Sequence, residues 1–334
     1  MSVEQFGEMP DGTAVERVTI CGGGLTAKIL SFGAIIQDLR LDGHPKSLVL
    51  GFDRLDDYRT YGAHIGATAG RVANRICDGR FELGGKTYEL DINFIGKHSL
   101  HGGTQGIGVR VWRFDKVQDN AVHMSLDLAD GEMGFPGNMT IKLVYTLLDN
   151  GVLDIDMKAT SDADTLCNLA HHGYFNLDGE GDILDHELQI DAERYLDITA
   201  ELIPTGKILS VDGQNIDFRK KKSIRSAHEI KPIDNNLCIE ETAGSLRRVA
   251  TLSSPKSGVS MDVLTTEPGL QAYDAVNLKA GTPALDGGTT GVCGGVCLEP
   301  QIWPDAIHHP NFPSAVLKVG ETYHQQTQYA FHKA

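Results

Sequence analysis

The chain has 334 residues, of which 41% are apolar and 22% charged, so it has enough apolar material for one large hydrophobic core. A formal net charge of −15 would repel a phosphate backbone, which argues against nucleic acid as a partner. No apolar stretch approaches the roughly 20 residues of a membrane-spanning helix, and the acidic first residues differ from a secretory signal, so we expect a cytoplasmic protein without a membrane partner.

The most frequent pattern along the chain is a short run of alternating apolar residues that ends in turn residues. Such runs are typical of half-buried strands. Residues 39–43 and 81–90 each combine a run with a turn dipeptide, Asp42-Gly43 or Gly84-Gly85, and each pattern predicts a hairpin. Between them, residues 53–61 predict a helix of one or two turns.

The clearest pattern lies in the middle of the chain. Apolar residues alternate over 139–147, the turn sequence Asp149-Asn150-Gly151 follows, and the alternation resumes over 153–157. This predicts a hairpin of two long strands. Long helical stripes, internal repeats and linkers are lacking in the sequence. We therefore predict an all-β protein, with residues 1–334 forming one domain, a large antiparallel β-sandwich.

The six cysteines do not form the dense framework of a small secreted domain, so we expect reduced and mostly buried thiols. Cys293 and Cys297 are separated by three residues in the segment GVCGGVC. They could hold a metal only with ligands from distant parts of the sequence, and we expect small residues in a packed strand instead. The basic run 219–222 is interpreted as a solvated loop.

Phosphate-binding loops, nucleophile elbows and zinc-protease motifs are missing from the sequence, so the remaining candidates are polar clusters in apolar or glycine-rich surroundings. Taken singly, most have structural explanations: a histidine is more often a hydrogen-bonding group than a catalyst, and Asp234 before two asparagines is typical of a turn. Glu299 is the strongest single candidate. It lies between an apolar run and Pro300, and a buried carboxylate is costly unless it is paired or used.

Seven segments, taken together and in this order, resemble the successive motifs of the aldose 1-epimerase (galactose mutarotase) family. They are GRVANRI (70–76), SLHGG (99–103), DGEMGFPG (130–137), HHGYFNLDG (171–179), IDNN (233–236), TTEPGLQAY (265–273) and CLEPQIWPDAIHHPNFP (297–313). The resemblance runs from about residue 70 to the C-terminus. It implies the galactose mutarotase-like supersandwich, with a monosaccharide in an open cleft on one sheet.

The resemblance also implies an activity, the interconversion of the α and β anomers of a free aldose such as galactose or glucose, without a cofactor or a metal. Glu299 would be the base that takes the proton of the anomeric hydroxyl. His172 would be the acid that protonates the ring oxygen, and His101 would help to hold that oxygen. The residues implied in binding the sugar hydroxyls are Asn74, Arg75, Asp234, Gln271 and Tyr174.

The chemistry requires opposed charges, with His172 protonated and Glu299 ionised. Because the ordinary pKa of histidine, ~6.5, leaves the ring only partly charged at neutral pH, we expect nearby carboxylates to raise the pKa of His172. The family commonly has Thr-Asn before this histidine, where Ala170-His171 stand here. His171 is therefore a second candidate for the acid.

Two alternatives keep the same fold. One is a hexose 6-phosphate epimerase, which should place basic residues near the 6-position of the sugar. The other is a non-catalytic sugar-binding protein, although such a protein has no use for an opposed acid and base. The sequence leaves open the preferred aldose and whether the protein is a monomer or a homodimer.

Overall fold

Antiparallel strands dominate the computed structural model, which describes residues 2–62 and 64–333. Its strands in the first half of the chain are β1 (Ser2–Glu8), β2 (Ala14–Gly22), β3 (Leu25–Leu30), β4 (Ile36–Leu41), β5 (Thr68–Ala69), β6 (Arg75–Ile76), β7 (Arg80–Leu83), β8 (Lys86–Glu89), β9 (Ser99–Leu100), β10 (Arg113–Val117), β11 (Ala121–Leu128), β12 (Met139–Leu148), β13 (Val152–Ser161) and β14 (Thr165–Leu166). Those that follow are β15 (Ala170–His171), β16 (Tyr174–Phe175), β17 (Glu187–Ile190), β18 (Arg194–Ile198), β19 (Pro204–Ser210), β20 (Lys222–Ser223), β21 (Asp234–Cys238), β22 (Arg247–Ser253), β23 (Val259–Thr265), β24 (Gly269–Tyr273), β25 (Thr282–Pro283), β26 (Thr289–Thr290), β27 (Val296–Gln301), β28 (Val316–Leu317) and β29 (Tyr323–Lys333). The helices of the described ranges are α1 (Leu55–Tyr61), α2 (Ile224–His228) and single 3-10 turns at 77–79, 107–109, 132–134, 285–287 and 306–308.

Two large sheets form the body of the fold. In the described residues one has nine strands in the order β10-β11-β12-β13-β29-β23-β22-β17-β20, and the other has six in the order β16-β27-β24-β21-β18-β19. They pack face to face: the hydroxyl of Tyr329 in β29 donates to the Leu298 carbonyl of β27 at 2.9 Å, and its ring lies 4.6 Å from that of Phe175 in β16. Strands β1 to β4 form a third sheet in chain order. The predicted antiparallel β-sandwich is confirmed.

The predicted central hairpin is confirmed as β12 and β13. Its residues pair without interruption from Met139 with Ser161 to Leu148 with Val152. At the turn, Asn150 has φ 63° and Gly151 has φ 74°, the left-handed conformations that a tight hairpin turn requires. Alternate residues of β12 enter the core, as the apolar pattern predicts: Met139, Ile141, Leu143, Tyr145 and Leu147 are all buried.

The other local predictions met different outcomes. The hairpin at 81–90 is confirmed as β7 and β8, and the short helix is confirmed as α1. At Asp42-Gly43 the chain turns, but the predicted returning strand is absent from the described structure. The returning segment bonds to β4 only around Leu39, through the Leu48 N–H and the Ser47 hydroxyl among the described residues, and the chain then crosses to β16. Pro45 lies in this return and has no N–H to offer a strand ladder.

Surface segments and thiols agree with the sequence analysis. The basic run lies in a loop up to Lys222, where β20 begins, and Arg219 pairs with Glu193 and with Asp217 at 2.7 Å. All six cysteines are free, four of them buried. None of the helices in the described ranges is long and apolar enough to span a bilayer.

Candidate active site

The register of the six-stranded sheet places several predicted site residues on one face. Gln271 of β24 stands opposite Glu299 of β27, and Asp234 of β21 stands opposite Tyr273 of β24. Directly opposed residues of an antiparallel pair point to the same face. Tyr174 of β16 is opposite the residue two positions before Glu299, so it extends the same row. The sheet therefore builds the floor of a polar cleft.

A second wall comes from the ribbon of β6 and β9. This pairing brings the Asn74 carbonyl to the His101 N–H, at 2.9 Å. Asn74 and His101 both have left-handed backbone, with φ 61° and 51°, which is uncommon for residues other than glycine and is frequent at functional sites. The Asn74 N–H donates to Nδ1 of His101 at 3.1 Å. Neutral His101 therefore carries its proton on Nε2 and can donate it to a ligand.

His172 follows β15 and is held by its backbone, because its N–H donates to the Ala67 carbonyl at 2.8 Å. Its ring stacks on that of Tyr174, with 5.1 Å between centroids. Its Nε2 lies 3.6 Å from Oε1 of Glu299, and its Nδ1 lies 3.5 Å from the thiol of Cys297. The two side chains are only 8% and 3% exposed for His172 and Glu299. The predicted acid and base thus face each other in a nearly dry environment.

These walls enclose a cavity of about 220 Å³ that contains all eight predicted site residues. The lining residues are His64, Asn74, Arg75, Phe94, Leu100, His101, His172, Tyr174, Asp234, Gln271, Tyr273, Asn277 and Glu299. The volume lies below the ~300–1,000 Å³ typical of cofactor and drug-sized ligands, so the cavity suits a small ligand. A larger cavity of about 660 Å³ lies beside residues 77–82 and 305–309 and contains none of the predicted residues. Convergent polar groups favour the smaller cavity as the site.

Asp234 is the centre of a hydrogen-bonded group at one end of the cleft. It accepts from Nε2 of Gln271 at 2.5 Å and pairs with Arg75 at 3.6 Å. Arg75 also donates to Oδ1 of Asn74 at 3.1 Å, and its guanidinium lies 4.6 Å from the ring centre of Phe94. Burial raises the pKa of Asp234, while Arg75 and Gln271 oppose that rise. These contacts fix the direction of donors and acceptors that could bind hydroxyl groups.

The expectation that nearby carboxylates raise the pKa of His172 is wrong. Burial lowers the pKa of His172 to about 3, and the neighbouring His64 lowers it further. Burial also raises the pKa of Glu299 well above its ordinary value, with the negative charge of Asp234 acting in the same direction. Desolvation of both charged forms therefore outweighs their attraction across 3.6 Å.

His171 points away from the cleft, although it is adjacent to His172 in the sequence. Its ring lies 6.1 Å from that of Tyr145 and 6.2 Å from that of Tyr329, between the two large sheets. Neither ring nitrogen has a hydrogen-bond partner among the described residues, and burial lowers its pKa to about 3. His171 is a core residue in this structure and cannot share the acid role.

Sequence reasoning missed a histidine of the cleft, His64. Its ring lies 4.5 Å from that of His101 and 6.1 Å from that of His172, and burial lowers its pKa to about 4. It belongs to none of the seven motif segments, and no spacing distinguished it among 13 histidines. Phe94 and Asn277 were missed for the same reason. Tyr273 lies within a motif segment, but no pattern in the sequence distinguished it as a residue of the cleft.

Three groups of potential metal ligands occur among the described residues, each with its atoms within 4.8 Å of one another. One is His172, Cys297 and Glu299 in the cleft. The other two lie outside the cleft, and they are Cys77, Asp78 and His98, and His228, Asp274 and Cys293. The thiols of Cys293 and Cys297 therefore belong to different groups and do not form one cysteine pair site.

Comparison with known proteins decides the family. The family model described as aldose 1-epimerase matches residues 16–330. The chain belongs to the aldose 1-epimerase family. It is 38% identical to the galactose mutarotase of Bos taurus over 98% of this chain and 97% of that protein, and 32% identical to the aldose 1-epimerase of Escherichia coli over 96% of each.

Solved structures agree with this family assignment. The aldose epimerase homologue of C. elegans has a TM-score of 0.90 at 31% identity, with 96% of this chain and 100% of that chain covered. The galactose 1-epimerase of Lactobacillus acidophilus has a TM-score of 0.86 at 25% identity, with 100% and 98% covered. This aldose 1-epimerase family member therefore shares the architecture of its relatives along nearly its whole length.

Proposed function

We propose that the protein is a mutarotase, an isomerase that interconverts the α and β anomers of a free aldose. The observation that carries this proposal is the approach of His172 Nε2 to Glu299 Oε1, at 3.6 Å, inside a cavity of about 220 Å³. The names of the relatives, galactose mutarotase and aldose 1-epimerase, support it. An acid and a base on one small cavity are what the opening of a cyclic hemiacetal requires.

In the proposed reaction the sugar loses one proton to the protein and receives another from it. Glu299 takes the proton of the C1 hydroxyl while His172 gives a proton to the ring oxygen, the bond from C1 to that oxygen breaks, and C1 becomes an aldehyde. After rotation about the C1–C2 bond, the ring hydroxyl attacks C1 from the other face and returns its proton to His172. Glu299 gives its proton to the former aldehyde oxygen, which becomes the new C1 hydroxyl. Each well-placed acid or base contributes ~10²–10⁴-fold.

The active pair must hold a single proton. With that proton on Glu299, both side chains are uncharged, which is the form that burial favours. With the proton on His172, the two side chains form an ion pair, which is the form that the reaction requires. The two forms differ by a transfer across 3.6 Å, without exchange with solvent. Sugar hydroxyls and the Nε2 proton of His101 supply hydrogen bonds that favour the charged form once the ligand is bound.

The remaining wall residues are proposed to recognise an unphosphorylated sugar. Asn74, Gln271 and Tyr174 offer neutral hydrogen-bonding groups to hydroxyls. Arg75 is the one Lys or Arg among the described lining residues, and it is already paired with Asp234. A phosphate would lie near the carboxylates of Asp234 and Glu299, and the single cation nearby is already paired with Asp234. This argues against the 6-phosphate alternative.

Polarimetry on freshly dissolved α-D-galactose and α-D-glucose tests this proposal directly. The expected result is a rate of mutarotation above the spontaneous rate and proportional to the protein concentration. Glucose 6-phosphate should not be accelerated comparably. A panel with arabinose, xylose and fucose would rank the substrates. Sugar binding in calorimetry together with a spontaneous rate would contradict the enzyme and support a binding protein.

A further inference from the structure

Outside the sugar cleft, three potential metal ligands from distant parts of the sequence converge at the end of β24, an interior strand of the six-stranded sheet. His228 is the last residue of α2, Asp274 directly follows β24, and Cys293 lies in the loop before β27. Nδ1 of His228 lies 2.7 Å from Oδ2 of Asp274, and the thiol of Cys293 lies 3.8 Å from the same nitrogen. The strand alternation sends Tyr273 into the cleft and Asp274 away from it, so this group is separate from the proposed acid and base.

Backbone hydrogen bonds hold the Asp274 carboxylate and the main chain of Cys293 in this group. The Ile233 N–H donates to Oδ2 of Asp274 at 2.8 Å, and the Val276 N–H donates to Oδ1 at 3.2 Å. The Cys293 N–H donates to the Ala275 carbonyl at 3.2 Å, which anchors the thiol beside the carboxylate. Such outer hydrogen bonds orient ligands in metal sites.

The chemistry and spacing of this group fit a zinc ion. Nitrogen, sulfur and carboxylate oxygen together are ligands that Zn²⁺ accepts, whereas Mg²⁺ and Ca²⁺ prefer oxygen alone. Tetrahedral zinc places its ligand atoms about 3.3–3.6 Å apart. The observed separations of 2.7 and 3.8 Å require movements of about half an ångström. The His228 side chain is 21% exposed and Val292 is exposed, so a cation can enter from solvent.

We propose that His228, Asp274 and Cys293 form a binding site for a thiophilic divalent cation, Zn²⁺ in the first place, with water as the fourth ligand. Binding through Nδ1 leaves the imidazole proton on Nε2, and the thiol releases its proton to solvent as the metal–sulfur bond forms. The ion would join α2, the end of β24 and the loop that leads into β27. This site is independent of the sugar chemistry.

Cobalt titration of the full chain, after treatment with a chelator, tests the site. We expect one equivalent of Co²⁺ to produce a near-ultraviolet charge-transfer band between thiolate and cobalt, and Zn²⁺ to displace it. C293S should lose the band. H228A should weaken Zn²⁺ binding by at least ~10–100-fold, the loss that removal of even an outer-shell partner causes. Because His228 is partly exposed at a helix end, H228A keeps the test decisive if C293S does not fold.

Matched controls identify the responsible thiol. C77S removes the thiol of the group with Asp78 and His98, and E299Q alters the group in the cleft; both should keep the band. Absence of the band from the unsubstituted chain would overturn the proposal. So would a band that survives in both C293S and H228A, or one that is lost in C77S or E299Q instead. Mutarotation is not the readout, so a failed metal site leaves the proposed enzyme untouched.

Discussion

Burial controls the ionisation of single residues in the cleft of this protein. His64, His101 and His172 lie within 6.1 Å of one another by ring centroids, and desolvation is the main reason that the pKa of each is lowered. A charged imidazole here needs a specific partner, and Glu299 is the carboxylate in reach of His172. The predictions for single residues therefore concern proton transfer and ionisation.

The first prediction concerns turnover. E299Q and H172N should each lower kcat by roughly 10²–10⁴-fold, because each removes one proton-transfer group while keeping a similar shape. Polarimetry gives the rates, and circular dichroism checks the fold. H324N and E240Q alter exposed side chains and should keep normal rates. A near-normal rate in E299Q or H172N would remove that residue from the mechanism.

The second prediction concerns the pH dependence of kcat/KM. The active pair carries one proton: it gains a second as pH falls through the lowered pKa of His172, about 3, and loses its last as pH rises through the raised pKa of Glu299. The acid limb should therefore lie below the ordinary pKa of Glu, ~4.3, and the alkaline limb well above it. An acid limb at or above ~4.3 would show that burial does not dominate the ionisation of the pair.

The third prediction concerns Glu267, which lies between β23 and β24. Its Oε2 has no hydrogen-bond partner among the described residues, and burial raises its pKa to about 8. Between its unfolded pKa near 4.5 and 8, the folded state binds a proton that the unfolded state lacks, so stability falls as pH rises. E267Q removes the ionisable group and therefore this decrease in stability with rising pH.

Urea denaturation at pH 5 and pH 8 measures the effect of E267Q. The gain in the free energy of unfolding should be small at pH 5 and larger at pH 8, at most ~1.4 kcal/mol for each unit of pKa difference. E240Q, at an exposed glutamate, is the control. An equal gain at both pH values would contradict the assigned ionisation.

At the scale of elements, the site depends on how strands and turns approach one another. Gly102 follows His101 and has φ +83°, and a Cβ there would lie 2.0 Å from the Gly70 carbonyl oxygen. Gly12 has nearly the same backbone, φ +85°, but a Cβ there would meet nothing within 4 Å. A comparison of alanine substitutions at these two glycines therefore separates the cost of backbone strain from that of steric overlap.

The fourth prediction follows from that pair of glycines. G12A should cost only the strain of a left-handed alanine, ~1–2 kcal/mol, with normal turnover. G102A should be less stable than G12A and should lose activity, because the overlap displaces the segment that carries His101. Urea denaturation and polarimetry measure both. Equal stability and activity in the two variants would show that the Gly70–Gly102 approach does not position His101.

At the scale of the whole molecule, one buried cluster joins the three main sheets. It includes Ile20 of β2, Ile141 of β12, Leu270 of β24 and Tyr329 of β29. A continuous core of this kind is expected to unfold cooperatively, in keeping with the prediction that residues 1–334 form one domain.

Calorimetry tests that fifth prediction. The expected result is a single transition with a ratio of calorimetric to van't Hoff enthalpy near one, shifted as a whole to higher temperature by galactose. Two transitions, of which galactose shifts only one, would instead indicate separate domains. Sedimentation of the same samples would determine whether the protein is a monomer or a homodimer.

The sequence by itself determined the fold class, the central hairpin, the seven motif segments and eight of the thirteen described residues that line the cleft. Alternation and turn chemistry are local properties, and the ordered motifs identify a family. Only the tertiary structure decided which of two adjacent histidines enters the cleft. His171 and His172 are adjacent, and the local direction of the chain sends one to the core and the other to Glu299. It also decided the ionisation of His172, the place of His64, and the separation of Cys293 from Cys297. Burial and proximity are sums over distant segments, and no local pattern contains them.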